Sequence, residues 1–351
     1  MATHSPAGRV ALALGSGGAR GYAHIGVIDE LLRRDYDIVG IAGSSMGALV
    51  GGLHAAGSLD EFSDWAKTLT QRAVLRLLDP SITAAGVLRA AKILDAVRDM
   101  LGDATIENLP IPYTAVATDL IAGKSVWLQR GPVDAAIRAS IAIPGIIAPH
   151  VLDGRLLADG GILDPLPLAP IAAVNADVTI AVSLSGPDPD AAEEAPIDPE
   201  ARASNEWLAK LLRSTSGLLD TTTARSILDT PTARSMLSRF GTGAVPDDVD
   251  EDAETDDVDQ LVDVAREAAV PKLGSFAVMN RTIDIAQAAL ARHQMAAYPP
   301  DLLIEVPRTA CRSLEFHRAA ELIDLGRELT AAALDSYRNT GPEIIIIPET
   351  P

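Results

Sequence analysis

Aromatic residues are scarce in this chain. They make up 3% of its 351 residues, against 48% hydrophobic residues overall, so any core must be built from Ala, Val, Ile and Leu. That length is enough for a sizeable core in one large domain, or one domain carrying an insertion. The single cysteine, Cys311, excludes an internal disulfide and any cysteine-based zinc cluster. It points to a reducing, cytoplasmic setting. No apolar run reaches the ~18–20 residues that span a bilayer, and Met1 to Arg9 has no apolar stretch of the signal-peptide kind. Basic residues are also in deficit. The net charge is −19, which argues against nucleic acid as a partner and against strong electrostatic docking on anionic lipid. The excess is local: residues 247–263 hold ten acids and no Lys or Arg.

Glycine is present where chemistry needs it. Gly43-Ser44-Ser45-Met46-Gly47 follows the apolar run Ile38 to Ala42 and precedes a small-residue helical run, Ala48 to Ala56. Strand, tight turn and helix with a serine at the turn form the pattern of a nucleophile elbow. The alternative reading is a glycine-rich strand-to-helix turn with an idle serine.

Upstream, Arg9 to Gly15 reads as a buried strand and runs into Gly15-Ser16-Gly17-Gly18-Ala19-Arg20-Gly21, followed by a helix over Ala23 to Arg33. The short links between these elements predict a doubly wound, mostly parallel α/β sheet flanked by helices. The glycine loop does not match a nucleotide P-loop, and Arg20 breaks the dinucleotide fingerprint. A third reading is an oxyanion hole, with Gly17 and Gly18 offering N–H groups. Arg20 reads as an anchor for the loop.

A serine nucleophile needs a base. Asp159, in Ala158-Asp159-Gly160-Gly161, stands at a strand end in a glycine turn, and a carboxylate in a dry site can take a serine proton. A turn aspartate bonded to its own backbone is the competing reading. A histidine would be the conventional base. His4 sits in a loose terminus, His24 one turn from the glycine loop, His54 on the elbow helix, His150 before the Asp159 hairpin, and His293 and His317 late in the chain. Each reads most simply as structural, and His150 is also placed to line the site.

Around these motifs, Leu59 to Leu78 reads as one or two helices able to cap the site through Phe62, Trp65, Leu69, Val74, Leu75, Leu77 and Leu78. Ala90 to Leu101 and Val133 to Ala139 read as helices, Tyr113 to Thr118 and Ser125 to Leu128 as adjacent strands, and His150 to Leu152 with Arg155 to Ala158 as a hairpin. Pro165 to Val174 reads as a proline-started helix and Val178 to Leu184 as a strand. Residues 1–185 form the expected core and 186–271 an insertion, helical over Arg202 to Phe240 and then acidic. Residues 272–351 complete the domain through a helix at Gly274 to Ala297, a strand at Leu302 to Val306 and a helix at Phe316 to Tyr337. The end, Glu343 to Pro348, reads as an edge strand or a free tail. The acidic tract lacks the glycine and the closing glutamate of a calcium loop, so it reads as a solvated spacer.

Gly17-Gly18-Ala19-Arg20-Gly21, Gly43-Ser44-Ser45-Met46-Gly47 and Asp159-Gly160-Gly161, in this order, resemble the patatin-like phospholipase family. Ala139-Ser140 to Pro144 and Asp164-Pro165-Leu166-Pro167 resemble its connecting blocks, and Pro300 to Leu325 the C-terminal part of bacterial members. The resemblance implies a Ser–Asp dyad, with Ser45 as nucleophile and Asp159 as proton acceptor. Gly17, Gly18 and Ala19 then form the oxyanion hole, and Arg20, Gly21, Gly43, Gly47, Gly160 and Gly161 support the motifs. It implies hydrolysis of phospholipid or other long-chain acyl esters through an acyl-enzyme, with no metal and no cofactor, and transient contact with the inner face of a membrane. A regulatory patatin fold that binds a partner through the insertion, and an acyltransferase using an acceptor other than water, are the alternatives. The family often has glycine at the position of Ser16, where the N–H is expected to stay available, and asparagine at that of Asp164.

Overall fold

A computed structural model of the chain describes residues 7–77, 91–144, 146–187 and 275–340. The chain divides into one unit of Met1–Ala192 with Ser275–Pro351 and a second of Glu193–Gly274. The second unit lies outside the described residues. So do the expected helical stretch from Arg202 to Phe240, the acidic tract and the isoleucine-rich end.

The first strand, β1 (Gly8–Leu14), shows why the sheet is central. Val10, Leu12 and Leu14 face one way and pack among large apolar residues, while Ala11 and Ala13 face the other way among Leu166, Leu168 and Ile171. Both faces are buried, as a parallel strand covered by helices requires. α1 (Ala23–Arg33) returns the chain to β2 (Tyr36–Ser44), and α2 (Met46–Ala55) follows. The capping region is two helices, α3 (Leu59–Lys67) and α4 (Gln71–Leu77), and α5 (Ala91–Leu101) succeeds them. Next come β3 (Tyr113–Asp119), β4 (Lys124–Leu128), α6 (Val133–Ser140), the β5 (His150–Leu152) and β6 (Arg155–Asp159) hairpin, and β7 (Val178–Gly186). The described chain ends with α7 (Ser275–Ala297), β8 (Leu302–Pro307) and α8 (Ala319–Thr340).

Among the described residues these strands form one eight-stranded sheet in the order β5-β6-β3-β2-β1-β7-β8, with β4 also on β3. β3, β2, β1, β7 and β8 run parallel; β4, β5 and β6 are antiparallel additions. The expected mostly parallel α/β sheet is therefore present. The chain leaves β1 toward β2 on one side and later returns on the other side as β7. The C-terminal ends of β1, β2 and β7 thus meet at a topological switch point, where open α/β sheets place their sites.

Two expectations are corrected. Pro165 to Val174 is not a helix; it holds only a short 3-10 turn at Ala169–Ile171. Pro165, Pro167 and Pro170 each lack an N–H and restrict the residue before them, so no α-helical ladder can start. β7 continues beyond the expected Leu184 to Gly186, the first residue assigned to the insertion, because β8 pairs with it there.

Candidate active site

Ser45 sits between β2 and α2 with φ 54° and ψ −119°, a strained conformation for a residue with a side chain. The turn is tight enough that a Cβ on Gly43 would overlap the carbonyl of Gly47, and one on Gly47 would overlap that of Leu14. This is the physical reason for glycine on both flanks of the serine. The sharp turn lifts Ser45 out of the strand line at the start of a helix, where the backbone dipole favours negative charge.

Asp159 reaches Ser45 across one strand. β3 lies between β2 and β6, with Val116 beside Ser44 and Ala117 beside Asp159. Ser45 Oγ donates to Asp159 Oδ2 at 2.5 Å, and the Gly161 amide donates to Oδ1 at 2.8 Å. The Asp159 backbone is held as well: its N–H donates to Ala142 O at 3.0 Å, and its carbonyl accepts from Thr118 Oγ1 at 2.9 Å. Ser45 and Asp159 are each only 3% exposed. Burial pushes the Asp159 carboxyl up to about 6, against the opposing pull of the Ser45 and Gly161 hydrogen bonds. The carboxylate is therefore ionised at neutral pH and more basic than an ordinary one.

The glycine loop lies beside this pair. Gly18 has φ 59°, and a Cβ there would run into the carbonyl of Ser313. The amides divide by use. Gly15 N–H donates to Val182 O, Ser16 N–H to Pro165 O and Ala19 N–H to Ser313 O. The expected third donor, Ala19, is thus already engaged, and so is Ser16, whose N–H was expected to be available. The amides of Gly17 and Gly18 take no partner among the described residues. Arg20 is buried; it donates to Arg308 O at 3.2 Å and to Asp284 at 3.3 Å, tying the loop to the C-terminal part of the chain.

The family model for patatin-like phospholipase matches residues 12–172. An uncharacterized NTE family protein of Mycobacterium tuberculosis is 66% identical over 343 residues, covering 94% of this chain and 92% of the relative. The neuropathy target esterase sws of Drosophila grimshawi is 33% identical, over 45% of this chain and 11% of its own. The chain belongs to the patatin-like phospholipase family. This is a family of lipid acyl hydrolases. Patatin-like phospholipase domain-containing protein 6 of Mus musculus is 30% identical over 51% of this chain and 14% of its own. A solved structure, VipD from Legionella pneumophila, covers 93% of this chain and 66% of its own, with a TM-score of 0.39 and 15% identity.

In this patatin-like chain Ser45 lines two arms of a cleft. One is apolar, enclosing about 740 Å³ with its open mouth included. Its walls include Tyr22, Met46, Phe62, Trp65, Ile147 and Phe316. The expected cap therefore contributes Phe62, Trp65, Leu69 and Val74; Leu78 lies outside the described residues. Aromatics are scarce in the whole chain, yet Tyr22, Phe62, Trp65 and Phe316 converge here, with ring centroids 5.7–6.2 Å apart. The second arm is more polar and is lined by Ser16, Gly17, Asp284, Gln287 and Ser313, among others.

No described histidine lines either arm. His24 is buried, and its Nε2 contacts Gly15 O at 2.8 Å. A carbonyl only accepts, so this nitrogen carries the proton, and burial lowers the ring to about 4. His24 is thus a neutral brace for the glycine loop. His4 lies outside the described residues.

One residue of this patatin-like site was not assigned a role from sequence. Ser140, at the end of α6, is fully buried. Its Oγ accepts from the Ser45 amide at 2.9 Å and donates to Val116 O at 2.6 Å. It pins the strained turn to β3, and it occupies the Ser45 N–H. Asp164 is a second buried carboxyl, raised to about 6 by burial. Gln294 on α7 donates to it at 2.5 Å and accepts from the Leu166 amide.

Proposed function

We propose that the protein is a serine acyl hydrolase of lipid or other long-chain acyl esters, working through a Ser45–Asp159 dyad and an acyl-enzyme. The observation that carries this reading is the 2.5 Å hydrogen bond from Ser45 Oγ, which lines an apolar pocket, to a buried, basic Asp159 carboxylate.

Ser45 Oγ attacks the ester carbonyl carbon while its proton passes to Asp159 Oδ2. The carbonyl oxygen takes up the negative charge and is met by the Gly17 and Gly18 amides. The intermediate collapses, the bond to the leaving oxygen breaks, and Asp159 returns the proton to that oxygen. Water then attacks the acyl-serine carbonyl, giving a proton to Asp159; the bond from the acyl carbon to Ser45 Oγ breaks, the fatty acid leaves, and Asp159 passes that proton to Oγ, restoring the Ser45 hydroxyl and the carboxylate. The pocket walled by Phe62, Trp65 and Phe316 holds the acyl chain. Each methylene removed from water there is worth about 0.8 kcal/mol, which favours long chains.

Among the described residues no helix is long and apolar enough to cross a membrane. We place the protein in the cytoplasm with transient contact at the membrane's inner face, a setting supported by its one, buried, cysteine and by an apolar pocket suited to lipid chains. Hydrolysis of p-nitrophenyl esters of increasing chain length by wild type and Ser45→Ala tests the reading. Turnover that rises with chain length and vanishes in the variant supports it; equal turnover by both proteins overturns it.

A further inference from the structure

An ester bound at Ser45 has two substituents on its carbonyl carbon. One is the acyl chain, and the apolar arm suits it. The other is the leaving alcohol, which must then point into the second arm, since both arms meet at Gly18, Ser45, Ile143, Ile146 and Leu314. This second arm encloses about 550 Å³ with its opening included. One wall comes from α7, beyond residues 12–172, through Ile283, Asp284 and Gln287.

The chemistry of that wall is specific. Ser16 Oγ donates to Gln287 Oε1 at 3.0 Å, which orients the amide and leaves its nitrogen with no partner among the described residues. Asp284 is a quarter exposed and receives Arg20 through Oδ1 alone. The Arg20 guanidinium is buried behind the loop and is also bonded to Arg308 O. Ser313 adds a further polar side chain. Among the described residues no Lys or Arg lines the arm, and the charged residues that do are both carboxylates, Asp159 and Asp284. A cleft of one charge sign with low-dielectric walls repels groups of that sign. Neutral hydroxyls, in contrast, find an acceptor in Asp284 and a donor in the Gln287 amide.

We propose that this arm binds the leaving alcohol and selects uncharged polyols, such as a glycerol moiety, over alcohols that carry a phosphate monoester. The proposal rests on the hydrolase reading and names the substrate class within it. Asp284 and Gln287 are its specificity-determining residues.

The test compares 1-octanoyl-glycerol with 1-octanoyl-glycerol 3-phosphate on the full chain, with p-nitrophenyl octanoate alongside. The wild type is expected to show kcat/KM at least tenfold higher for the uncharged ester. Asp284→Asn is expected to narrow that ratio at least threefold, and Gln287→Leu to raise KM for the glycerol ester more than for the p-nitrophenyl ester. A phosphate ester cleaved as well as the glycerol ester by wild type overturns the proposal, and so does a ratio unmoved by Asp284→Asn. The wild-type ratio needs no variant, so a poorly folded Asp284→Asn leaves the test decisive. Failure to turn over p-nitrophenyl octanoate is a different result and overturns the hydrolase reading itself.

Discussion

Ser45 Oγ and Asp159 Oδ2 lie 2.5 Å apart although 114 residues separate them in sequence. One strand accomplishes this. β3 pairs with β2 on one side and β6 on the other, so the ends of its neighbours present both side chains at the same height. The pair is buried, and the burial that makes Asp159 basic also sets how the protein should respond to pH.

With the Asp159 carboxyl raised to about 6, kcat/KM should climb about tenfold per pH unit below that value and level off above it, because only the carboxylate accepts the Ser45 proton. A pH-rate profile on a soluble ester checks this. A plateau extending down to pH 4 would contradict it.

The same shift has a stability consequence. The folded-state value lies above the unfolded one, so the contribution of Asp159 to folding is full below about 4 and is lost as pH rises through about 6. Asp159→Asn should therefore abolish turnover yet unfold with greater stability at pH 8, by about 1–3 kcal/mol. Denaturation by urea at pH 4 and pH 8 measures it; a variant less stable at pH 8 counts against the buried-carboxylate argument.

Asp164 is expected to behave the same way without the catalytic loss. Its carboxyl is also raised to about 6 by burial, and Gln294 donates to it. Asn can accept the same hydrogen bond without a charge. Asp164→Asn should thus gain about 1–3 kcal/mol at pH 8 and nothing at pH 4. Equal gains at both pH values would remove the electrostatic explanation.

Ser140→Ala removes the acceptor of the Ser45 amide and the donor to Val116 O. Leaving these buried groups unpaired costs about 1–3 kcal/mol. If the loss falls on the strained turn, kcat drops about 10- to 100-fold with KM little changed. A purely structural role would lower the melting temperature and spare kcat, so measuring both separates the two.

Trp65 lines the apolar arm and packs at a tilt against Phe62 with centroids 5.7 Å apart. Trp65→Ala should reduce kcat/KM for dodecanoyl esters more than for acetyl esters, by about tenfold or more, since only the longer chain loses buried contact there. An equal reduction for both chain lengths would move the acyl chain out of this arm.

The fold and the meeting of Ser45 with Asp159 were legible for different reasons. Alternating apolar runs joined by short helices dictate a parallel sheet, and glycine at Gly43 and Gly47 is demanded by a turn in which backbone meets backbone. Ser140 was not legible as a positioning residue: a serine at a helix end is common, and its partner lies 95 residues away. The wall supplied by α7 was hidden for the same cause, because Ser16 and Gln287 are 271 residues apart. Pro165 to Val174 misled because a proline suits the first turn of a helix, while three prolines within six residues deny it a hydrogen-bond ladder. Ala19 read as an oxyanion donor because sequence cannot show that Ser313 already accepts its N–H.

The most direct test is covalent. Wild type treated with a fluorophosphonate probe, digested and analysed by mass spectrometry should carry one adduct, on the peptide containing Ser45, and Ser45→Ala should carry none and turn over no ester. An adduct on another serine in a Ser45→Ala protein that still hydrolyses the ester would show that the nucleophile lies elsewhere.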